Sequence, residues 1–395
     1  MASAVLETLT AGAEVGKLVL PLSSLQSALT KISPAIPGPS CAVPILRTIK
    51  IENTGTATTF TATDFEMAIR TSVLVEQVPS APFLIAAERF VGYVKLLEGE
   101  EVSIAPHERR ATLKCGRATT QLPLDILANY PATEFIGESD NALKIPQNVA
   151  LRLLKHTGFA ISSEESKYTL SGALLEVFDG KVRMVGTDGH RLAMYTVPLE
   201  SLAGHATASS LLPLHLLNAL AKGLKDSADQ HLTLSDDANA SSLSLRMSGP
   251  LPVEIVCRKM VGSFPNYRGV IPQEKPEVFV TVNSTEMLTS IMRCVAMSDR
   301  ENFAVKLTIS KDFIEMKSVD STAGETQESI PVEPVGEWET FTTGFNGQYL
   351  IDVLKVCRGD VAIKFAEPVR NVPMVMSCAP EDGEEFDYIV MPMRI

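Results

Sequence analysis

The stretch RMVGTDGHRLAMYT, Arg183 to Thr196, alternates apolar and polar residues, breaks at Thr187-Asp188, and alternates again. Period-two alternation on both sides of a turn signal marks a hairpin with one buried face. Asp188-Gly189 reinforces the turn, because glycine accepts φ > 0 without steric cost. The same plan recurs in TFTATDFEMAIRT, Thr59 to Thr71, with Asp64 in the place of Asp188. A weaker version, FIEMKSVDSTAGETQESIPV, runs from Phe313 to Val332 and puts Asp320 at the turn. Spacings of about 124 and roughly 130 residues are those of repeated domains, not of a solenoid.

Other features keep the long period. Helical spacing of apolar residues appears in Ala86–Glu98, Pro213–Asp226 and Asn346–Gly359, with Phe90, Leu217 and Leu350 in one shared slot. Each copy has an earlier helix as well, starting at Pro21, Pro146 and Asn283. Proline suits a first helical turn, and Asn283 or Ser284 suits an N-cap. The rest reads as short strands, so each copy is expected to hold two helices and about eight strands. The fold class is α+β: three similar domains, each with two helices packed on antiparallel sheets. Polar, proline-bearing joints near residues 140 and 275 give an extension over 1–16 and domains over 17–140, 141–276 and 277–395.

Composition limits the function. The chain of 395 residues is 45% apolar and 21% charged, the balance of a soluble globular protein. No run of eighteen apolar residues is present, so no membrane partner is expected, and residues 1–15 do not read as a signal peptide. Six cysteines, Cys41, Cys115, Cys257, Cys294, Cys357 and Cys378, are scattered without a C-x-x-C, which suggests reduced, mostly buried thiols and a cytoplasmic location. No cofactor is expected.

The net charge of −12 argues against a general nucleic-acid binder only if it is evenly spread. It is not. The candidate helices carry Lys31, Arg89, Lys95, Arg152, Lys155, Lys222, Lys225, Arg293, Arg300, Lys355 and Arg358 against six acidic residues. They sum to about +5, and the remainder to about −17. Solvated helix faces are one explanation. The other is that the helices of all copies face one anionic partner, and duplex DNA inside a ring of two chains fits that description.

Asp188 and His190 raise an enzymatic alternative, metal-assisted hydrolysis. No nucleophile elbow, zinc-protease, phosphate-loop or dinucleotide motif supports it, and no catalytic or metal residue is assigned. The first copy supplies an internal control. It has Phe65, Glu66 and Met67 where the middle copy has Gly189, His190 and Arg191. Those three residues are therefore not demanded by the shared architecture, and with Leu192 they offer the mix of apolar wall and donors that a protein-contact surface needs.

Together VPIL (43–46), TATDFEM (61–67), YTLSGALLE (168–176), TDGHRLA (187–193), FPNYRGVIP (264–272), GFNGQYLIDVL (344–354) and the terminal YIVMPMRI resemble the bacterial DNA polymerase III β subunit family, the sliding clamps. The resemblance covers about residues 17–395. It implies a non-catalytic DNA polymerase processivity factor, a head-to-tail homodimeric ring around double-stranded DNA. The implied partners are the DNA polymerase III α subunit, the clamp loader and other proteins with a clamp-binding motif.

Carried over by motif, a partner-peptide cleft would comprise Leu170, Thr187, Gly189, His190, Arg191, Leu192, Pro265, Val270, Asn371, Val390, Met391, Pro392, Met393, Arg394 and Ile395. DNA-facing residues would be Arg89, Arg152, Lys155, Lys167, Tyr168, Thr169, Lys222 and Lys225. The dimer joint would involve Thr120, Leu122, Ala296 and Met297. Met391 and Met393 suit a surface that repacks around several clients. The chain departs from the family at Gly269, where arginine is common, at Ser40 and Glu88, often basic, and at Thr120, often a larger apolar residue.

Overall fold

A computed structural model describes residues 16–75, 81–137, 139, 141–203, 205–237, 239–272, 276–320, 324–369, 372–378 and 383–394. The first repeat comprises β1 (Leu18–Pro21), α1 (Leu22–Ile32), β2 (Thr48–Asn53), β3 (Ala57–Thr63), β4 (Met67–Leu74), β5 (Phe83–Ala86), α2 (Ala87–Lys95), β6 (Glu101–His107), β7 (Arg110–Cys115) and β8 (Ala118–Asp125). The second comprises β9 (Leu143–Pro146), α3 (Gln147–Thr157), β10 (Gly172–Phe178), β11 (Lys181–Thr187), β12 (Arg191–Pro198), β13 (Ala208–Pro213), α4 (Leu214–Gly223), β14 (His231–Ser235), β15 (Ser242–Met247) and β16 (Val253–Arg258). The third comprises β17 (Val278–Asn283), α5 (Ser284–Ala296), β18 (Ala304–Ile309), β19 (Phe313–Asp320), β20 (Gly324–Pro331), β21 (Glu333–Val335), β22 (Phe341–Asn346), α6 (Gly347–Leu354), β23 (Asp360–Phe365), β24 (Met374–Cys378) and β25 (Glu385–Val390).

Among the described residues, two helices per repeat match the reading of the sequence, with eight, eight and nine strands. The helix starts differ by one residue from that reading. Pro21 caps α1 and Pro146 ends β9, so both prolines close a strand instead of opening a helix. Asn283 is a true N-cap: its Oδ1 accepts from the N–H groups of Thr285 and Glu286. Asn346 does the same for Gln348 and Tyr349. Phe90, Leu217 and Leu350 are all buried.

Each repeat forms two antiparallel four-strand arrays. In the first they are β1-β6-β7-β8 and β5-β2-β3-β4, in the second β9-β14-β15-β16 and β13-β10-β11-β12, and in the third β17-β23-β24-β25 and β22-β18-β19-β20. Arrays of neighbouring repeats join edge to edge. β4 pairs with β16, Met67 opposite Cys257, and β12 pairs with β25, Arg191 opposite Val390. The compact units therefore cut through the middle repeat. One unit holds the chain up to Asn148 with Asn218–Arg258, the other Val149–Leu217 with the chain from Lys259.

The repeated turn is built by Thr and Asp, not by Gly. Asp188 Oδ1 accepts from the N–H groups of His190 and Arg191 at 2.9 and 3.0 Å, and Thr187 Oγ1 donates to the Arg191 carbonyl at 2.6 Å. Asp64 and Thr63 make the same bonds to Glu66 and Met67. Gly189 has φ 91°, and Phe65 holds the equivalent position at φ 75°. A left-handed phenylalanine costs about 1–2 kcal/mol, which the side-chain hydrogen bonds of the turn offset.

Candidate functional site

The hairpin of the second repeat, the C-terminal tail of the third and the segment Phe264–Val270 belong to one compact unit. The tail lies beside the hairpin. β25 ends at Val390, but the Met391 N–H still donates to the His190 carbonyl at 2.9 Å. The Met393 N–H donates to the Gly344 carbonyl at 2.8 Å. Pro392, which has no N–H, falls between these two anchors. Met391, Pro392 and Met393 are half-exposed and Arg394 is exposed, so the tail is neither a last strand nor a core segment. Asn371 and Ile395 lie outside the described residues.

Beneath the hairpin sits an apolar cluster of Val185, Leu192, Met194, Tyr267 and Ile389, with Leu174, Phe264, Ile271 and Val375 packed against it. Leu192 and Thr187 are buried. Leu170 approaches Gly189, its Cδ1 3.8 Å from where a β-carbon would stand. Val270 and Pro265 are exposed. Tyr267 donates its hydroxyl to Glu176 at 2.5 Å, and burial, with that carboxylate beside it, pushes the phenol up.

Arg191 departs from its expected role as a ready donor. Its Nε donates to Asp188 Oδ2 at 3.0 Å, Nη1 to Asp352 Oδ2 at 2.7 Å, and Nη2 to the Phe159 carbonyl at 2.6 Å. Its guanidinium also lies 4.3 Å from the centre of the Tyr349 ring. The side chain is 10% exposed. These bonds fix the hairpin to α6 of the third repeat, so Arg191 positions the wall while His190, exposed at the tip, faces outward. Asp352 and Tyr349 lie three apart on one face of α6, a spacing that could have pointed to a shared contact.

A second buried network holds the start of β25. Arg152 on α3 donates to Glu384 Oε1 from Nε at 3.1 Å and pairs with it through Nη2 at 2.9 Å. The Tyr195 hydroxyl donates to the other oxygen of the same carboxylate. The His156 ring stacks on Tyr195, centroids 4.2 Å apart, and burial holds its imidazole below the ordinary value.

These contacts narrow the basic lining expected from the sequence. Arg152 is engaged by Glu384. Lys167 Nζ reaches Glu164 Oε1 at 3.0 Å and the Asp188 carbonyl at 3.3 Å. Arg89, Lys155, Lys222 and Lys225 are exposed, as is Tyr168, with Thr169 half-buried. Lys31 is half-buried, donates to the Leu251 carbonyl, and is held below its ordinary value by burial and by nearby Lys225. Lys225, Arg300, Lys355 and Arg358 lie past the ends of their helices, and Arg293 is paired with Glu328. The positive excess thus belongs to α1–α4. Helices α5 and α6 carry Glu286, Arg293 and Asp352 and have none.

Of the four joint residues, Leu122 is buried within its own unit and Thr120 is half-buried. Ala296 is exposed, and Met297 packs near Gly324 at the start of β20. The enzymatic alternative lacks its donors. Asp188 is bound to Arg191 and to backbone N–H groups, and among the described residues no group of three or more His, Cys, Asp or Glu side chains could hold a metal ion.

Three family models match in succession: the DNA polymerase III beta subunit N-terminal domain over 18–134, its central domain over 144–266 and its C-terminal domain over 268–394. The chain is 27% identical to the beta sliding clamp of Caulobacter vibrioides over 387 residues, covering 96% of this chain and all of that one. It is 25% identical to that of Haemophilus influenzae over 358 residues, 89% of this chain and 93% of the relative. The crystal structure of the DNA polymerase III beta subunit of Thermotoga maritima superposes with a TM-score of 0.86 at 22% identity, covering 96% of this chain and 100% of that one. A Pseudomonas aeruginosa sliding clamp bound to griselimycin gives 0.85 at 23% identity with the same coverage.

Proposed function

Because the chain belongs to the DNA polymerase III β subunit family, we propose that two copies close head to tail around duplex DNA and hold client proteins at the tail-lined cleft. The chain is a β sliding clamp, the processivity factor of DNA polymerase III, and its role is not catalytic.

One observation carries the ring: an unfilled place in the repeat. The outer edge of β4 is taken by β16, and the outer edge of the equivalent β12 by β25. Their counterpart in the third repeat is β20, which pairs with β19 and with no other described strand. The counterpart of β16 and β25 in the first repeat is β8, whose outer edge among the described strands pairs only with β5, at Leu124 and Asp125. An unpaired strand edge exposes a row of N–H and C=O groups that invite another strand. In the proposed ring a second chain supplies the missing strand at each end.

The repeat also sets the register. Gly324 corresponds to Met67 and Arg191, and Leu122 to Cys257 and Val390. Thr326 of one chain then faces Thr120 of the other. With Thr120→Cys and Thr326→Cys in one chain, oxidation should yield a covalent dimer on non-reducing electrophoresis, because directly opposed residues of antiparallel strands are close enough to bridge. Neither single substitution should do so. A doubly substituted chain that stays monomeric would reject this register.

In the cleft, the apolar cluster under the hairpin and the half-exposed Met391 and Met393 support an extended peptide with bulky apolar side chains. His190, Val270, Pro265 and Arg394 would form the rim. For DNA, exposed Arg89, Lys155, Lys222 and Lys225, with Tyr168 and Thr169, are the candidate contacts. Phosphate attraction of this kind is independent of sequence, which suits a molecule that must slide. The working compartment would be the bacterial cytoplasm.

A further inference from the structure

The geometry points to Cys357 and Cys378 as a reversible dithiol–disulfide site that reacts with a hydroperoxide. Their sulfurs lie 3.3 Å apart, closer than two unbonded sulfurs pack without a hydrogen bond, and neither cysteine is in a disulfide. Cys357 is buried just past the end of α6, its N–H donating to the Val353 carbonyl. Cys378 is half-buried at the end of β24, opposite Phe386 of β25.

Asymmetric burial assigns the roles. Cys378 is the less buried of the two, and Cys357 Sγ lies beside it. The thiol of Cys357 stabilises a Cys378 thiolate by hydrogen bonding and holds Cys378 below the ordinary value, while burial and Asp387 oppose this. The shared proton and burial push Cys357 up. The thiolate is the reactive form, and exposure with thiolate character decides which cysteine oxidises first. Burial drives two of the others the opposite way, Cys257 to about 12 and Cys294 to about 11.

The chemistry balances in two steps. The Cys378 thiolate attacks one oxygen of hydrogen peroxide and the O–O bond breaks. Hydroxide leaves and takes up the thiol proton as water, and Cys378 becomes a sulfenic acid. Cys357 Sγ then attacks Cys378 Sγ, the S–O bond breaks, and a second hydroxide leaves as water with the Cys357 proton. The sulfur pair loses two electrons, and one peroxide is reduced to two waters. The disulfide ties the end of α6, which bears Asp352 and Tyr349, to the strand beside β25. A thiol reductant reverses it.

The test uses the full chain treated with hydrogen peroxide. Thiols titrated after denaturation should fall from six to four per chain, and the non-reducing peptide map should contain a Cys357–Cys378 linked pair that dithiothreitol removes. In Cys357→Ser the linked pair cannot form, and Cys378 should accumulate as a sulfenic acid that dimedone traps. Retention of all six thiols, or loss of thiols without the linked pair, would overturn the site. Absence of the dimedone adduct in Cys357→Ser would overturn the order of attack.

Discussion

Arg191 and Asp352 meet across 161 residues of sequence, Nη1 to Oδ2, at 2.7 Å. The pair joins a hairpin of the second repeat to a helix of the third, and it does so at the wall of the proposed cleft. The guanidinium is nearly enclosed, so removing it takes from Asp352 and Asp188 their cationic partner and from the Phe159 carbonyl its side-chain donor.

Arg191→Ala should therefore destabilise its unit by about 3 kcal/mol, the cost of leaving buried charges uncompensated. Arg191→Lys should recover only part of this, because an ammonium cannot reach three acceptors from one planar fork. Urea unfolding of the two variants and the parent measures the difference. Equal midpoints for all three would show that the network contributes nothing.

Deleting 391–395 should abolish binding of polymerase-derived peptides and leave the oligomeric state unchanged. The tail leaves the sheet at Val390 and is held by the Met391 and Met393 N–H groups, so its loss strips one wall without touching the paired strands. Fluorescence anisotropy with a labelled peptide and gel filtration read the two effects separately. Unchanged peptide affinity in the truncated chain would reject the cleft.

His156 should make stability fall in mild acid. Burial keeps its folded pKa below the ordinary value near 6.5, so the unfolded chain binds the proton more readily. The contribution is complete above the ordinary value and is lost as pH drops from there through the lower folded value. The slope for one such group cannot exceed about 1.4 kcal/mol per pH unit. His156→Phe, which keeps the stacking on Tyr195, should flatten the profile between neutral and mildly acidic pH. An unaltered slope in the variant would place the acid sensitivity elsewhere.

The repeat, the six helices and the hairpin turns of the first two copies were legible in sequence because they rest on local patterns; the third turn, after Asp320, lies outside the described residues. Period-two runs, apolar spacing of three and four, and Thr-Asp pairs all act within a few residues. The neighbourhood of GHR and MPMR was legible too, though only through family resemblance. What each side chain does there was not. Arg191 reads as an exposed donor until Asp352 is brought to it, and Arg152 reads as lining until Glu384, 232 residues away, takes its charge. Cys357 and Cys378 look like two more scattered thiols because nothing across their separation of 21 residues signals contact. Long-range partners of polar groups are set by how sheets join, and single-chain pattern carries no trace of that joining. Gly189 was read correctly as dispensable to the shared turn, because the first copy forms it without glycine, and Phe65 does hold the equivalent left-handed position.

Enclosure of DNA is the central claim, and retention on circular against linear duplex tests it most directly. After loading onto a closed or nicked circle by a clamp loader and ATP, the protein should remain bound through gel filtration at moderate salt. It should be released when a restriction enzyme cuts the circle. Retention on the linear product equal to that on the circle would mean that the protein grips DNA, and would contradict the account.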